Sequence, residues 1–277
     1  MKVRFHGVRG STPCHGEEIR RYGGNTSCVS IDVPGERPII LDLGTGVRYL
    51  GLEHPQGPFS ANCLLSHLHW DHIQGLPFFG PVLRDGSRLD VWAPRQGDGR
   101  SVGETMASII RPPMFPVTLE QLPGDIVFHD LEEGSFGLGA VEVSARSVPH
   151  IGPTFGYRIT WQGRSVAYLS DHQEPLDGAP CAPGVLELCA GVDVLIHDSQ
   201  YTDADFPSHR DWGHCRVGFA VDLARRCEVG TLVLFHHDPS RDDDALDGVG
   251  ADAAEALAPD GVTVVTAFEG LTLDVGD

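Results

Sequence analysis

Ser66-His67-Leu68-His69-Trp70-Asp71-His72 places three histidines and one aspartate within six positions. It follows Ala61-Asn62-Cys63-Leu64-Leu65, a short apolar run that reads as a buried strand. Residues two apart on a strand share a face, so His67 and His69 can point at one spot. The chain then turns, and Asp71 and His72 can face a second spot a few ångströms away. Imidazole with carboxylate suits Zn²⁺, Mn²⁺ or Fe²⁺, whereas an all-carboxylate set suits Mg²⁺ or Ca²⁺. The competing reading, a chance cluster of surface histidines, is the weaker one. No ordinary packing role calls for this density directly after an apolar strand.

Moving outward, the same arrangement recurs. Four further apolar runs end in a residue able to bind metal. Val141-Glu142-Val143 leads to Val148-Pro149-His150, and Ser165 to Leu169 leads to Asp171. Val192 to Ile196 leads to Asp198, and Thr231 to Phe235 leads to His236-His237. Any one of these residues alone would more often be a cap or a turn; their joint recurrence weakens that alternative. Other strands are expected over Val3–Val8, Cys28–Val33, Ile39–Leu43, Leu89–Ala93, Ile126–Phe128, Phe155–Ile159 and Val262–Phe268. Helices are expected over 47–52, 73–79, 102–110, 185–190, 213–227 and 251–257. Arg111-Pro112-Pro113-Met114-Phe115-Pro116 reads as a rigid loop, either at a substrate entrance or dimer contact or packed on the core. Gly44-Thr45-Gly46 is a tight turn, too short for a dinucleotide-binding fingerprint. Strands in runs interrupted by helices indicate an α/β chain, and no linker or repeat divides it, so residues 1–277 are expected to form one domain.

Composition narrows the chemistry. The formal net charge is −19, and Lys2 is the sole lysine. Such a field repels a polyanion, and long nucleic acid ordinarily requires a basic stripe that this sequence lacks. A small anion drawn into a metal pocket is compatible with it. No apolar run is long enough to span a membrane, and the start lacks a signal peptide's apolar region; a cytoplasmic protein without a membrane partner is expected. The seven cysteines are odd in number and form no C-x-x-C pair, which favours reduced, mostly buried thiols.

The His67-x-His69-x-Asp71-His72 stretch resembles the signature of the metallo-β-lactamase superfamily. His150 followed by Gly156-Tyr157, then Asp171, then Phe235-His236-His237-Asp238-Pro239, resemble the later motifs of its ribonuclease Z and phosphodiesterase branch. The resemblance implies a four-layer αββα sandwich holding two divalent transition-metal ions, in the first place Zn²⁺, with Mn²⁺ or Fe²⁺ as alternatives. It implies that His67, His69 and His150 form one metal site and that Asp71, His72 and His236 form the other, with Asp171 shared. His237 competes with His236, which is preferred because it directly follows the strand. The lactamases proper carry a cysteine where Asp171 would sit, so this chain departs from the β-lactam hydrolases. Trp212-Gly213-His214, expected at a helix start, looks like the branch's histidine that acts on the scissile phosphate, and Asp198 resembles its acidic partner. His6, His15, His54, His129 and His209 are read as structural or surface residues. His172 and Trp70 adjoin candidate ligands without an assigned role.

The implied activity is hydrolysis of a small cyclic phosphodiester, in the first place a cyclic nucleotide, by a homodimer. Paired ions about 3.5–4 Å apart would hold a hydroxide between them, with Asp71 orienting it. A ribonuclease Z-like RNA 3′-end endonuclease is the alternative; it normally carries an RNA-gripping arm, and no basic, glycine-rich insertion is visible here. Ester, thioester or lactone hydrolysis on the same fold is a third reading, made weaker by His214 and Asp198.

Overall fold

The computed structural model describes residues 1–276. Two seven-stranded sheets make up its interior. The first contains β1 (Lys2–Gly7), β2 (Cys28–Asp32), β3 (Ile39–Leu41), β4 (Ser60–Leu64), β5 (Arg88–Pro94), β6 (Asp125–Leu131) and β14 (Thr272–Asp274), in the order β14-β1-β2-β3-β4-β5-β6. The second contains β7 (Gly134–Leu138), β8 (Val141–Ser147), β9 (Phe155–Trp161), β10 (Arg164–Leu169), β11 (Val194–Asp198), β12 (Thr231–Phe235) and β13 (Thr263–Thr266), in the order β13-β12-β11-β10-β9-β8-β7.

Side-chain alternation explains the layering. In β3, Ile39 and Leu41 enter the core between the sheets, while Ile40 faces outward. In β12, Val233 and Phe235 face inward, while Leu232 and Leu234 face outward. Successive residues of a strand point to opposite faces, so an uninterrupted apolar run leaves both faces needing cover. Helices α1 (Val47–Glu53) and α3 (Val102–Ile109) cover the first sheet through Val47, Leu50 and Met106. Helices α4 (Pro183–Cys189), α6 (Val217–Arg226) and α7 (Asp243–Leu257) cover the second through Val185, Leu188, Ala220 and Leu257. The result is the αββα sandwich.

Parallel pairing gathers the strand ends. β3, β4, β5 and β6 run parallel, as do β10, β11, β12 and β13. The C-terminal ends of β4, β10, β11 and β12 therefore open on one rim, and the segments after them carry the metal-competent residues.

Several expected elements differ. The helix expected over 73–79 is instead α2 (Trp70–Ile73) followed by a 3-10 turn over Leu76–Phe78. The helix expected from Gly213 starts only at Val217, with α5 (Phe206–His209) preceding it. Gly213 has φ +92 and cannot sit in a right-handed helix. The last helix begins at Asp243, eight residues earlier than expected, because the Asp242 side chain accepts from the Ala245 amide at 2.8 Å and Asp243 and Asp244 favour the positive helix end. Strands β7 and β14 were not expected; both alternate with polar residues and are held by pairing with β8 and β1. In the 111–116 loop, Phe115 packs against the outer core of the first sheet while Met114 is exposed. The cysteines are all free, five of them buried. Among the described residues no helix is long and apolar enough to cross a membrane.

Candidate metal centre

The chain folds around the 66–72 stretch through its own backbone. Asp42 leaves β3 with φ +60, which turns its carboxylate back under β4, where Oδ1 accepts from the Ser66 amide at 2.7 Å. His69 is extended and serves as N-cap of α2, and α2 then carries Asp71 and His72 on its first turn. His236 follows β12 with φ +58, aiming its ring back across the rim. Asp and His are among the few non-glycine residues that adopt this conformation readily.

The expected ligands converge. The donor atoms of His67, His69 and His150 lie within 4.8 Å of one another, as do those of Asp71, His72 and His236, and those of His67, His72 and Asp171. Asp171 faces both groups. Its Oδ1 is 3.8 Å from His67 Nε2 and 3.7 Å from His150 Nε2. Its Oδ2 is 3.2 Å from His72 Nε2 and 3.5 Å from His236 Nε2. Asp71 Oδ2 lies 3.1 Å from His72 Nε2 and 3.2 Å from His236 Nε2, and it accepts the Ser11 amide at 2.7 Å.

Hydrogen bonds on the outer ring nitrogens decide what the inner ones offer. His72 Nδ1 donates to Asp42 Oδ2 at 2.7 Å, and His236 Nδ1 donates to Gln200 Oε1 at 2.8 Å. His150 Nδ1 donates to the Gly213 carbonyl at 2.6 Å. Ser66 Oγ donates to Asp42 Oδ2 at 2.9 Å, and is left to accept from His67 Nδ1 at 3.0 Å. In each neutral ring the inward nitrogen then carries a lone pair. With both rings neutral, His236 Nε2 faces His72 Nε2 at 3.3 Å with no proton to share, and His150 Nε2 lies 3.1 Å from His69 Nδ1. His67 Nε2 and Asp171 Oδ2 are buried without any hydrogen-bond partner. Converging lone pairs and carboxylate oxygens repel one another unless a cation sits among them, so the donor set fits divalent metal.

Electrostatics favour the metal-binding form of His67, His69, His150 and Asp171. Burial holds His67 well below its ordinary pKa, reinforced by neighbouring His72, and burial also lowers His69 and His150. For Asp171 burial pushes upward, but His236, His72 and His67 outweigh it and the carboxyl sits well below the usual range. For His72 burial pushes downward, but Asp171, Asp71 and Asp42 outweigh it and hold the ring well above its ordinary pKa, so it favours its charged form until a cation replaces that proton among the same carboxylates. Neutral imidazoles and ionised carboxylates are the forms that bind metal.

His214 and Asp198 form a separate dyad against this group. His214 lies in the extended segment ahead of α6, not at the helix start. Its Nδ1 donates to Asp198 Oδ2 at 2.8 Å, and Asp198, fully buried, also accepts amides of His172 and Gln200. The His214 ring stacks on His236 with centroids 5.0 Å apart and 25° between planes. Burial lowers the His214 pKa, but Asp198, with Asp171 and Asp71 beyond it, raises it to a net value above ordinary. His237 faces away from the cluster: its Nε2 donates to the Ala267 carbonyl at 2.9 Å. Of the histidines read as structural, His6 bonds Ser30, His129 bonds Asp90, His54 packs on Phe59, His209 stacks on Tyr201 and His15 is exposed.

Asp42, Ser66, Ser11, Gln200 and Gln173 escaped the sequence reading. Asp42 had a usable signal, a lone carboxylate after Ile39-Ile40-Leu41 at a buried strand end. Gln173, whose Oε1 accepts the Gly213 amide at 2.9 Å, had none.

Two layered sheets with a histidine- and aspartate-rich rim define a hydrolase of the metallo-β-lactamase fold. The profile of the β-lactamase superfamily domain matches residues 54–237, about two thirds of the sequence, and the chain belongs to this family. It is 25% identical to a ribonuclease Z from Natronomonas pharaonis, over 97% of this chain and 98% of that protein. It is 30% identical to the uncharacterized protein Rv1339 from Mycobacterium tuberculosis, over 76% and 74%. The metallo-β-lactamase fold protein YhfI from Bacillus subtilis superposes with a TM-score of 0.73 over 99% of both chains at 18% identity, a likeness of fold.

Proposed function

We propose that this chain is a dinuclear metal-dependent phosphodiesterase that hydrolyses a small cyclic phosphate, in the first place a cyclic nucleotide. The observation that carries the reading is the His214–Asp198 pair, 2.8 Å apart and stacked against His236 at the edge of the donor set. A departing thiolate needs no such proton donor beside the ions, whereas a departing alkoxide does, so the pair disfavours thioester hydrolysis and suits a phosphodiester.

His67, His69 and His150 would hold one ion and Asp71, His72 and His236 the other, with Asp171 between them. Zn²⁺ is the first candidate, and Mn²⁺ and Fe²⁺ suit the same donors. Such a site supplies Lewis acidity at phosphoryl oxygens and a water acidic enough to attack at neutral pH. The protein does the rest. Asp198 accepts the Nδ1 proton of His214 and so presents Nε2 to the substrate. Protonated His214 donates from Nε2 to a phosphoryl or departing oxygen. Ser11 fixes Asp71 by its amide, leaving Asp71 Oδ1 to accept from an incoming water. Asp42, Gln200 and the Gly213 carbonyl hold three rings in one tautomer.

The relatives named ribonuclease Z support a phosphodiester substrate. An RNA 3′-end endonuclease is the second reading, favoured by those names. Against it stand the net charge of −19 and the length of the alignment, 328 positions against 277 residues, so that relative carries segments this chain lacks. The same reading takes residues 1–277 as one catalytic domain working as a cytoplasmic homodimer, which light scattering and fractionation would test.

The test has two stages. Metal-loaded protein is expected to cleave bis(p-nitrophenyl) phosphate and to leave an acyl thioester intact; the reverse outcome would falsify the class. A panel of cyclic nucleotides set against a structured tRNA precursor then separates the two phosphodiester readings, with turnover of the cyclic nucleotides alone expected.

A further inference from the structure

Four tryptophans occur in the chain. Trp92 and Trp161 pack against the core between the sheets. Trp70 and Trp212 are 56% and 58% exposed, and each adjoins the metal centre in the chain. Trp70 follows His69 directly. Trp212 stands two residues before His214, on a segment pressed against the site: a Cβ added at Gly213 would meet His150 Nδ1 at 2.5 Å. Ile151, next to His150, is also 56% exposed. The side on which they stand is the open one. His67, His72 and His236 are buried, and the His150 side chain is only 1% exposed, whereas His69 is exposed. The donors are therefore reached from the His69 side, where Trp70 is next in the chain and the 212–213 segment lies against His150, itself followed by Ile151.

The Trp212 segment is held in place. Its amide donates to the His209 carbonyl at 3.0 Å, and its ring meets His209 edge-on with centroids 4.5 Å apart, while His209 stacks on Tyr201. Large apolar side chains left in water at the mouth of a site mark ligand contacts. Indole rings offer a flat, neutral face, which suits the heterocycle of a nucleoside and not its phosphate.

Resting on the phosphodiesterase reading above, we infer that Trp70 and Trp212 grip the base of a nucleoside phosphodiester by stacking, with Ile151 as an apolar floor, so that the substrate class is nucleotide and not a base-free cyclic phosphate. Stacking tolerates any base, so selection among the four bases is weak.

The test compares hydrolysis of adenosine 3′,5′-cyclic phosphate with that of methyl riboside 3′,5′-cyclic phosphate by metal-loaded wild type, Trp70→Ala, Trp212→Ala and Trp70→Phe. The ratio of kcat/KM for the nucleotide to that for the base-free diester is expected to fall roughly tenfold in each alanine variant, through KM, and to recover in Trp70→Phe. An unchanged ratio overturns the inference. Binding judges it independently of turnover. Adenosine monophosphate should quench the tryptophan fluorescence of the wild type and not that of the Trp70→Ala/Trp212→Ala double variant. Quenching that persists in the double variant overturns the inference, whereas loss of quenching beside an inactive wild type upholds the base contact and sinks only the cyclic-nucleotide reading.

Discussion

Asp42 and His72, thirty residues apart, meet at 2.7 Å between Oδ2 and Nδ1, both with fully buried side chains. Asp42 Oδ2 also accepts from Ser66 Oγ at 2.9 Å and Tyr168 Oη at 2.8 Å. One carboxylate thus sets the tautomer of His72 directly and that of His67 through Ser66.

Replacing Asp42 should therefore act on metal binding from a distance. Asp42→Asn is expected to lower affinity for the metals roughly 10- to 100-fold, the usual scale for a residue that orients a metal-binding histidine. Chelator competition on the purified variant measures it. Unchanged affinity would show that His72 needs no orientation from Asp42.

His214→Ala and Asp198→Asn should separate chemistry from metal binding. Both variants are expected to keep the full metal content of the wild type while kcat drops by about 10²- to 10⁴-fold. Elemental analysis beside steady-state kinetics reads the two quantities. Equal loss of both metals in His214→Ala would make it a ligand instead.

The two adjacent histidines after β12 should behave oppositely. His236→Ala is expected to lose about one of two metal equivalents, because its Nε2 faces Asp71 and His72. His237→Ala should retain both and lose stability, because that ring is fully buried and bonded to Ala267. Metal stoichiometry and urea unfolding of each variant discriminate them.

His237 should also make the protein acid-sensitive. Burial drives its folded-state pKa down to about 3, partly opposed by the Ala267 carbonyl. In the unfolded chain the value is about 6.5. Below pH 6.5 the unfolded state takes up a proton that the folded state refuses, so stability present above that pH is lost as the pH falls toward 3. The loss is about 2 kcal/mol at pH 5. Urea titrations at pH 7 and pH 5 should show this fall in the wild type, beyond any fall in His237→Gln. Identical pH dependence in the two would remove His237 as the cause.

The local code was legible in the chain. The run Ala61 to Leu65 followed by His67, His69, Asp71 and His72 announced a strand and a donor cluster, because strand alternation is a property of the covalent backbone and needs no partner. Buried parallel strands read clearly for the same reason, as continuous apolar runs. Strands β7 and β14 did not, since their residues are held by cross-strand pairing with β8 and β1 and not by their own apolarity. The start of α6 was misplaced because Gly213, His214 and Cys215 are fixed by the Gln173, Asp198 and Tyr201 bonds, all made to other segments.

The sequence by itself determined which residue types could bind metal and which strand each one ends. Only the tertiary structure decided which nitrogen of each ring faces inward, that Asp171 lies between two groups of donors, and that His236 and not His237 joins them. Those outcomes depend on hydrogen bonds that the rings donate to Asp42, Gln200 and Gly213, residues distant in the chain, and such contacts exist only once both sheets have packed together.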